Sequence, residues 1–280
     1  MSRLRELHPR RFFLDTWRQI DVEAREERRE RRRAGLGYDY RPMVALATGA
    51  VFLTLMDFWG GDRGFNQLLD DVGAATGASR LRASAFYDLV VYGWWLACRL
   101  LAYVALPMLV LALLGERIRD YGLSTRGLVD HAWMYALFYL VILAGIVVAS
   151  GSDAFSTHYP LYAFASRSWF DLVVWELLYV TQFFALEFFF RGFWLKACKS
   201  AMGSQAIFAM TVPYCLIHYS KPQIEALAAV GAGIVLGTLA MRTRSIWGGV
   251  IIHAAVGLSM DIAALLRKDA LPTTWWPGPS

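Results

Sequence analysis

Charge is scarce in this chain. Only 18% of its 280 residues are Asp, Glu, Lys or Arg, against 57% hydrophobic, and the mean hydropathy is +0.38. A soluble chain of this length needs far more polar surface, which excludes a soluble fold. Apolar segments long enough to cross about 30 Å of hydrocarbon, about 20 helical residues each, recur instead and define a membrane protein. Cysteine is nearly absent: Cys98, Cys198 and Cys215 lie in or beside apolar segments without metal-ligand spacing, so they read as core packing and not as a disulfide frame. No nucleotide-binding glycine loop, repeat array or soluble domain is recognisable. The cluster Phe12-Phe13-Leu14 is too short for the core of a signal peptide and no small-residue cleavage site follows it, so the N-terminal segment is expected to be retained.

What is present begins with an Arg-rich segment, residues 1 to about 41, which culminates in Glu26-Glu27-Arg28-Arg29-Glu30-Arg31-Arg32-Arg33. It reads as a basic cytoplasmic tail. The mixed Glu/Arg run is a solvated helix in the simpler reading. In the functional one it binds anionic lipid headgroups, at roughly 1 kcal/mol per basic residue near the surface. Residues 42–280 form the integral membrane domain, with candidate spans at about 43–59, 87–114, 132–150, 169–190, 204–218, 223–241 and 245–266. The fold class is therefore all-α, a polytopic helical bundle of about seven transmembrane helices. Pro107 and Arg99 suggest a kinked or tilted second span, and Pro213 a distorted or buried fifth. Basic residues at Arg117 and Arg119, Lys196 and Lys199, and Arg242 and Arg244 share a side with the Arg-rich tail, which puts the N-terminus inside. Trp275-Trp276 reads as an interfacial aromatic anchor at the outer face.

Ionisable side chains inside apolar spans are functional candidates by default. Glu187 and Arg191 sit at i and i+4 in a run of phenylalanines, so they face each other across one helical turn. His218 ends the segment from Val212, with Lys221-Pro222 breaking the chain and Glu225 opening the next helix. His253, Gly257 and Asp261 line one helical stripe. Weaker candidates are Glu176 beside Asp171, read mainly as interfacial solvation, and Arg99, with snorkelling, Asp57 or Glu176 as its options. Gly233 and Gly237 form a small-x-x-x-small pattern that reads as helix packing. A carboxylate in a low-dielectric site has a raised pKa, which suits it to take a proton from water and deliver it to a leaving amine. Histidines can orient that water or donate to the oxyanion. No cofactor is required. Zinc at His218 and His253 is the lesser option, since no His-Glu-x-x-His pair is present.

Glu187-Phe188-Phe189-Phe190-Arg191, Tyr214 to His218, and His253 resemble, in order and approximate spacing, the three motifs of the CAAX-protease and bacteriocin-processing (CPBP) family of intramembrane proteases. The family is also called Abi or type II CAAX prenyl endopeptidases. The link Arg242 to Trp247 is similar too, and the resemblance covers about residues 110–266. The family motifs are Glu-Glu-x-x-x-Arg, Phe-x-x-x-His and His-x-x-x-Asn/Asp. The resemblance implies glutamate-dependent cleavage of a membrane-anchored protein or peptide, with Glu187 and Arg191 as the second Glu and the Arg of the first motif. It implies His218 as a partner of the catalytic water and His253 as an oxyanion stabiliser. A bacterial inner-membrane location and a role in processing or sorting protein tails are further expectations.

Three positions depart from the family pattern. Leu186 replaces the first Glu, the usual general base; Tyr214 replaces Phe; Gly257 replaces Asn/Asp. Two rescues of the base are open: Glu187 acts directly, or Glu225 supplies the carboxylate. Asp261, one turn beyond Gly257, is the candidate replacement in the third motif. The competing readings are a noncatalytic relative acting in immunity or partner binding, and a small membrane transporter, for which the expected internal symmetry is not found.

Overall fold

The structure, a computed structural model, describes residues 6–73 and 77–278. Its helices are α1 (Thr16–Arg33, preceded by a π-turn at Arg10–Asp15), α2 (Arg41–Trp59), α3 (Asp62–Val72), α4 (Ala78–Arg82) and α5 (Tyr87–Leu113). They continue with α6 (Arg126–Ala149), α7 (Asp153–His158), α8 (Trp169–Met202), α9 (Gln205–Leu216), α10 (Gln223–Thr243) and α11 (Trp247–Arg267). Six of these, α2, α5, α6, α8, α10 and α11, are long and apolar enough to cross a membrane. The fifth expected span, at 204–218, is instead the short apolar α9, which carries Pro213 and ends at Leu216, three residues beyond the proline that removes a backbone donor. In α5 the five residues Leu101–Ala105 widen to a π-helix just before Pro107. That widening is how a continuous helix accommodates a ring that clashes with the preceding turn.

The chain divides into two compact units whose boundaries fall inside the long helices. The first comprises residues 1–50, 107–132 and 187–249. In it α1 buries Thr16, Ile20 and Ala24, preceded by Phe12, at four-residue spacing. Trp17 donates to Thr238 Oγ1 at 3.0 Å and packs edge-on to Phe208, Asp21 accepts the Ser204 N–H at 2.7 Å, and Glu23 pairs with Lys199 at 2.5 Å. Helix α1, within the segment expected to be a basic tail, is thus docked on α8, α9 and α10 by its apolar stripe and by Asp21 and Glu23. Arg25, Arg29, Arg32 and Arg33 remain exposed beside Glu26 and Glu30. Gly233 and Gly237 of α10 lie against Thr211, Tyr214, Ile207 and Met210 of α9, as close helix packing requires. A single antiparallel bridge joins Leu123 to Ser245.

Asp39, two residues before α2, accepts from the Arg41 backbone and guanidinium and from Ser200. Burial alone would raise its carboxyl, but the hydrogen bonds from Arg41 and Ser200 and the charge of Arg41 outweigh it and hold the group at about 2. A carboxyl depressed in the folded state stabilises at neutral pH, and that contribution is lost as pH falls from about 4 toward 2. Amide exchange across residues 34–40 is therefore expected to accelerate within that window. Exchange that stays flat through it, while other regions respond, would remove Asp39 as the anchor.

The second unit comprises residues 51–106, 133–186 and 250–280. Its core gathers Leu89, Tyr162, Leu172, Trp175, Tyr179, Phe183 and Leu265. Asp171, expected at a solvated interface, is instead fully buried: Arg167 pairs with it at 2.6 Å and Ser168 and Tyr162 donate to it at 2.6 and 2.9 Å. The backbone at Trp169 and Phe170 donates to Thr274 and Trp275, and Trp276 packs on Phe170, leaving both C-terminal tryptophans exposed on their outer faces.

Candidate functional site

The first unit brings most of the motif residues together. Glu187 closes the regular part of α8, and the next seven residues, Phe188–Trp194, form a π-helix that is buried throughout. Such insertions recur at functional sites because they rotate a side chain out of the regular register. Arg191, in that segment, donates from Nη1 to Glu187 Oε1 at 3.0 Å, with both side chains almost wholly inaccessible (0% and 1% exposed). The guanidinium lies 4.0 Å from the centre of the Tyr214 ring, and Phe190 meets the same ring edge-on. A carboxylate and a guanidinium withdrawn from water need this combination of charge pairing, hydrogen bonding and an aromatic face. Tyr214, where the family has Phe, keeps that aromatic face.

His218 lies one turn beyond Tyr214, its ring 4.6 Å from the Tyr214 ring. Its Nδ1 is 2.8 Å from the Tyr214 carbonyl oxygen. A carbonyl only accepts, so Nδ1 carries the proton in this bond and, in the neutral ring, Nε2 keeps the lone pair. Nε2 is then the acceptor atom of the ring. Glu225, in the first turn of α10, is half-buried with Lys221 Nζ at 3.9 Å from its Oε1.

Gly249 is the residue that sequence reasoning missed. A Cβ at this position would collide with the Glu187 carboxylate, so the absence of a side chain is what gives the carboxylate its place. The available signal was spacing: Gly249, His253 and Gly257 recur every four residues along α11.

In the second unit the His253 ring is stacked on Phe183, 5.5 Å between centroids and 15° between planes. Asp261, fully buried, accepts from Trp175 Nε1 at 2.6 Å. At Gly257 a Cβ would lie 2.8 Å from Tyr179 Cε1 and 3.0 Å from Phe183 Cε2. Two aromatic rings thus fill the space beside Gly257, the position that matches the family's Asn/Asp. Restoring that residue as Gly257→Asn is expected to destabilise the protein by about 1–3 kcal/mol through overpacking. Thermal unfolding in detergent measures this, and an unchanged or raised midpoint would show that the rings yield.

The weaker candidates also find their places in this unit. Glu176 is half-buried, yet both of its carboxylate oxygens are inaccessible and bond to none of the described residues. Interfacial solvation therefore does not describe it. Arg99 pairs with neither Asp57 nor Glu176: Nη1 donates to Gln182 Oε1 at 3.3 Å, and its guanidinium lies over Trp95 and Tyr103. Among the described residues no group of three or more His, Cys, Asp and Glu side chains is placed to hold a metal ion.

Neither the curated proteins nor the solved structures contain a match to this chain. A family model does match, over a stretch that holds Glu187, Arg191, Tyr214, His218, Glu225, Gly249 and His253. Residues 167–259 match the model of the type II CAAX prenyl endopeptidase Rce1-like family, the family whose three motifs this segment resembles.

Proposed function

We propose that this integral membrane protein is an endopeptidase that hydrolyses a peptide bond of a membrane-anchored substrate, with Glu187 as the general base. The observation that carries the reading is the buried Glu187 carboxylate, held by Arg191 over Tyr214 and given room by Gly249. A carboxylate oriented in this way, away from bulk water, takes a proton from a water molecule as that water's oxygen bonds to the substrate carbonyl carbon. His218 Nε2 accepts a hydrogen bond from the same water and aims it. The charge that develops on the carbonyl oxygen is assigned to His253, on the strength of its motif position. When the carbon–nitrogen bond breaks, the proton held by Glu187 passes to the leaving nitrogen, so the site returns to its starting state with no covalent intermediate. Leu186 takes no part, and Glu225 is the reserve base of the proposal.

The partner is thus a membrane-anchored protein or peptide. The exposed arginines of α1 are the surface offered to anionic headgroups, with the N-terminus on the cytoplasmic side of a bacterial inner membrane. A noncatalytic relative is the second reading, favoured by Leu186 at the position of the family's usual base. The deciding measurement is mass spectrometry of new protein termini in native-host membranes. It compares wild type, a full deletion, Glu187→Gln, Glu225→Gln and His253→Ala at matched membrane abundance. Termini that vanish with Glu187→Gln support the mechanism, and loss with Glu225→Gln alone transfers the base to Glu225. Identical termini in all five strains would leave the noncatalytic reading.

A further inference from the structure

Arg99 has no task in the mechanism above, yet its position is expensive. It lies near the middle of the 27-residue apolar span Tyr87–Leu113, roughly 20 Å of helix from either end, further than its side chain reaches along the helix. A cation at such a depth is retained for pairing or for function. Within the second unit its pairing is incomplete. One nitrogen, Nη1, donates to Gln182 Oε1 at 3.3 Å, while the buried Nε and Nη2 bond to nothing among the described residues. No carboxylate of the described residues comes within ion-pair distance of it. Trp95, 4.5 Å from ring centre to guanidinium carbon, and Tyr103, at 5.6 Å, present their faces to the cation. Such faces offset part of the desolvation and steer the fork, but they satisfy none of its N–H donors.

Open donors on a planar guanidinium fit a two-oxygen anion. Depth chooses which one. A phosphate stays charged and is held at headgroup level, whereas a carboxylic acid can enter hydrocarbon as the neutral acid and ionise beside a fixed cation. We propose that Arg99 binds a carboxylate carried on an apolar chain. Under the endopeptidase reading, on which only the identity of that chain rests, the carboxylate is the free C-terminus of a peptide.

The test is binding, separated from cleavage by working in the Glu187→Gln background. Full-length protein in nanodiscs is titrated with a dansyl-labelled apolar peptide bearing a free C-terminus and with its C-terminal amide. Energy transfer from tryptophan is read against empty nanodiscs. The acid is expected to bind at least tenfold tighter than the amide, and Arg99→Gln, or Arg99→Met should the first variant not fold, is expected to abolish the difference. Equal binding of acid and amide, or a preference that survives loss of the guanidinium, overturns the proposal. Palmitate and palmitamide form a further arm. Arg99-dependent binding of palmitate without binding of the peptide acid keeps the carboxylate site and assigns it to a fatty acid. If wild-type membranes yield no new termini while the Arg99-dependent preference persists, the endopeptidase reading falls and the carboxylate site stands.

Discussion

Glu187→Gln is expected to lower cleavage by about a hundred- to ten-thousandfold, the range that a positioned general base supplies. The same change leaves Arg191 as a buried charge without its carboxylate, and breaking a buried pair from one side costs about 3–5 kcal/mol. Loss of activity alone would therefore not separate chemistry from folding. The double variant Glu187→Gln/Arg191→Met does, because it removes both charges and leaves the Tyr214 face against an apolar stem. Its unfolding midpoint is expected to recover most of what Glu187→Gln loses, while cleavage stays at the level of the single variant. Measured cleavage that recovers along with stability would end the case for Glu187 as the base and leave the pair as a structural brace.

Gly249→Ala should produce nearly as large a loss by a different route. The added methyl occupies the space of the Glu187 carboxylate, and that group can move only by loosening its bond to Arg191. A displacement on the order of 1 Å at a reacting group is worth about a hundredfold in rate, and the crowding itself about 1–3 kcal/mol in stability. Gly231→Ala is the control: it lies in α10 of the same unit with nothing near its Cβ direction, and in a helix interior the change is expected to stabilise by up to about 1 kcal/mol. If both alanine variants cleave at the wild-type rate, Gly249 does not set the position of the carboxylate.

The pairing of Glu187 with Arg191 was legible in the sequence because an i, i+4 spacing places two side chains on one face in any helix, and the local widening to a π-helix did not separate them. The role of Tyr214 was legible only as a motif position. That its ring carries the guanidinium depends on how α9 meets α8, which the close approach of α10 to α9 at Gly233 and Gly237 helps to set. The basic segment reads in sequence as a tail with a solvated Glu/Arg run; that run is mostly exposed, while the apolar stripe of α1 is buried. The helix is charged on average, but its apolar residues recur every fourth position and one of its acids, Glu23, has basic partners more than 170 residues away, at Lys199 and Arg244.

The sequence by itself determined that this protein lives in a membrane as a bundle of helices, because hydropathy and segment length follow directly from composition along the chain. It determined which ionisable residues carry a cost that only pairing or function can offset. Tertiary structure decided how the rest of each cost is met: Glu187 by the vacancy at Gly249, Asp171 by Tyr162, Asp261 by Trp175, and Arg99 by two rings and one amide. Those partners lie on other helices or in other turns, and partner choice in a low-dielectric interior is set by packing geometry, which no local pattern of residues encodes.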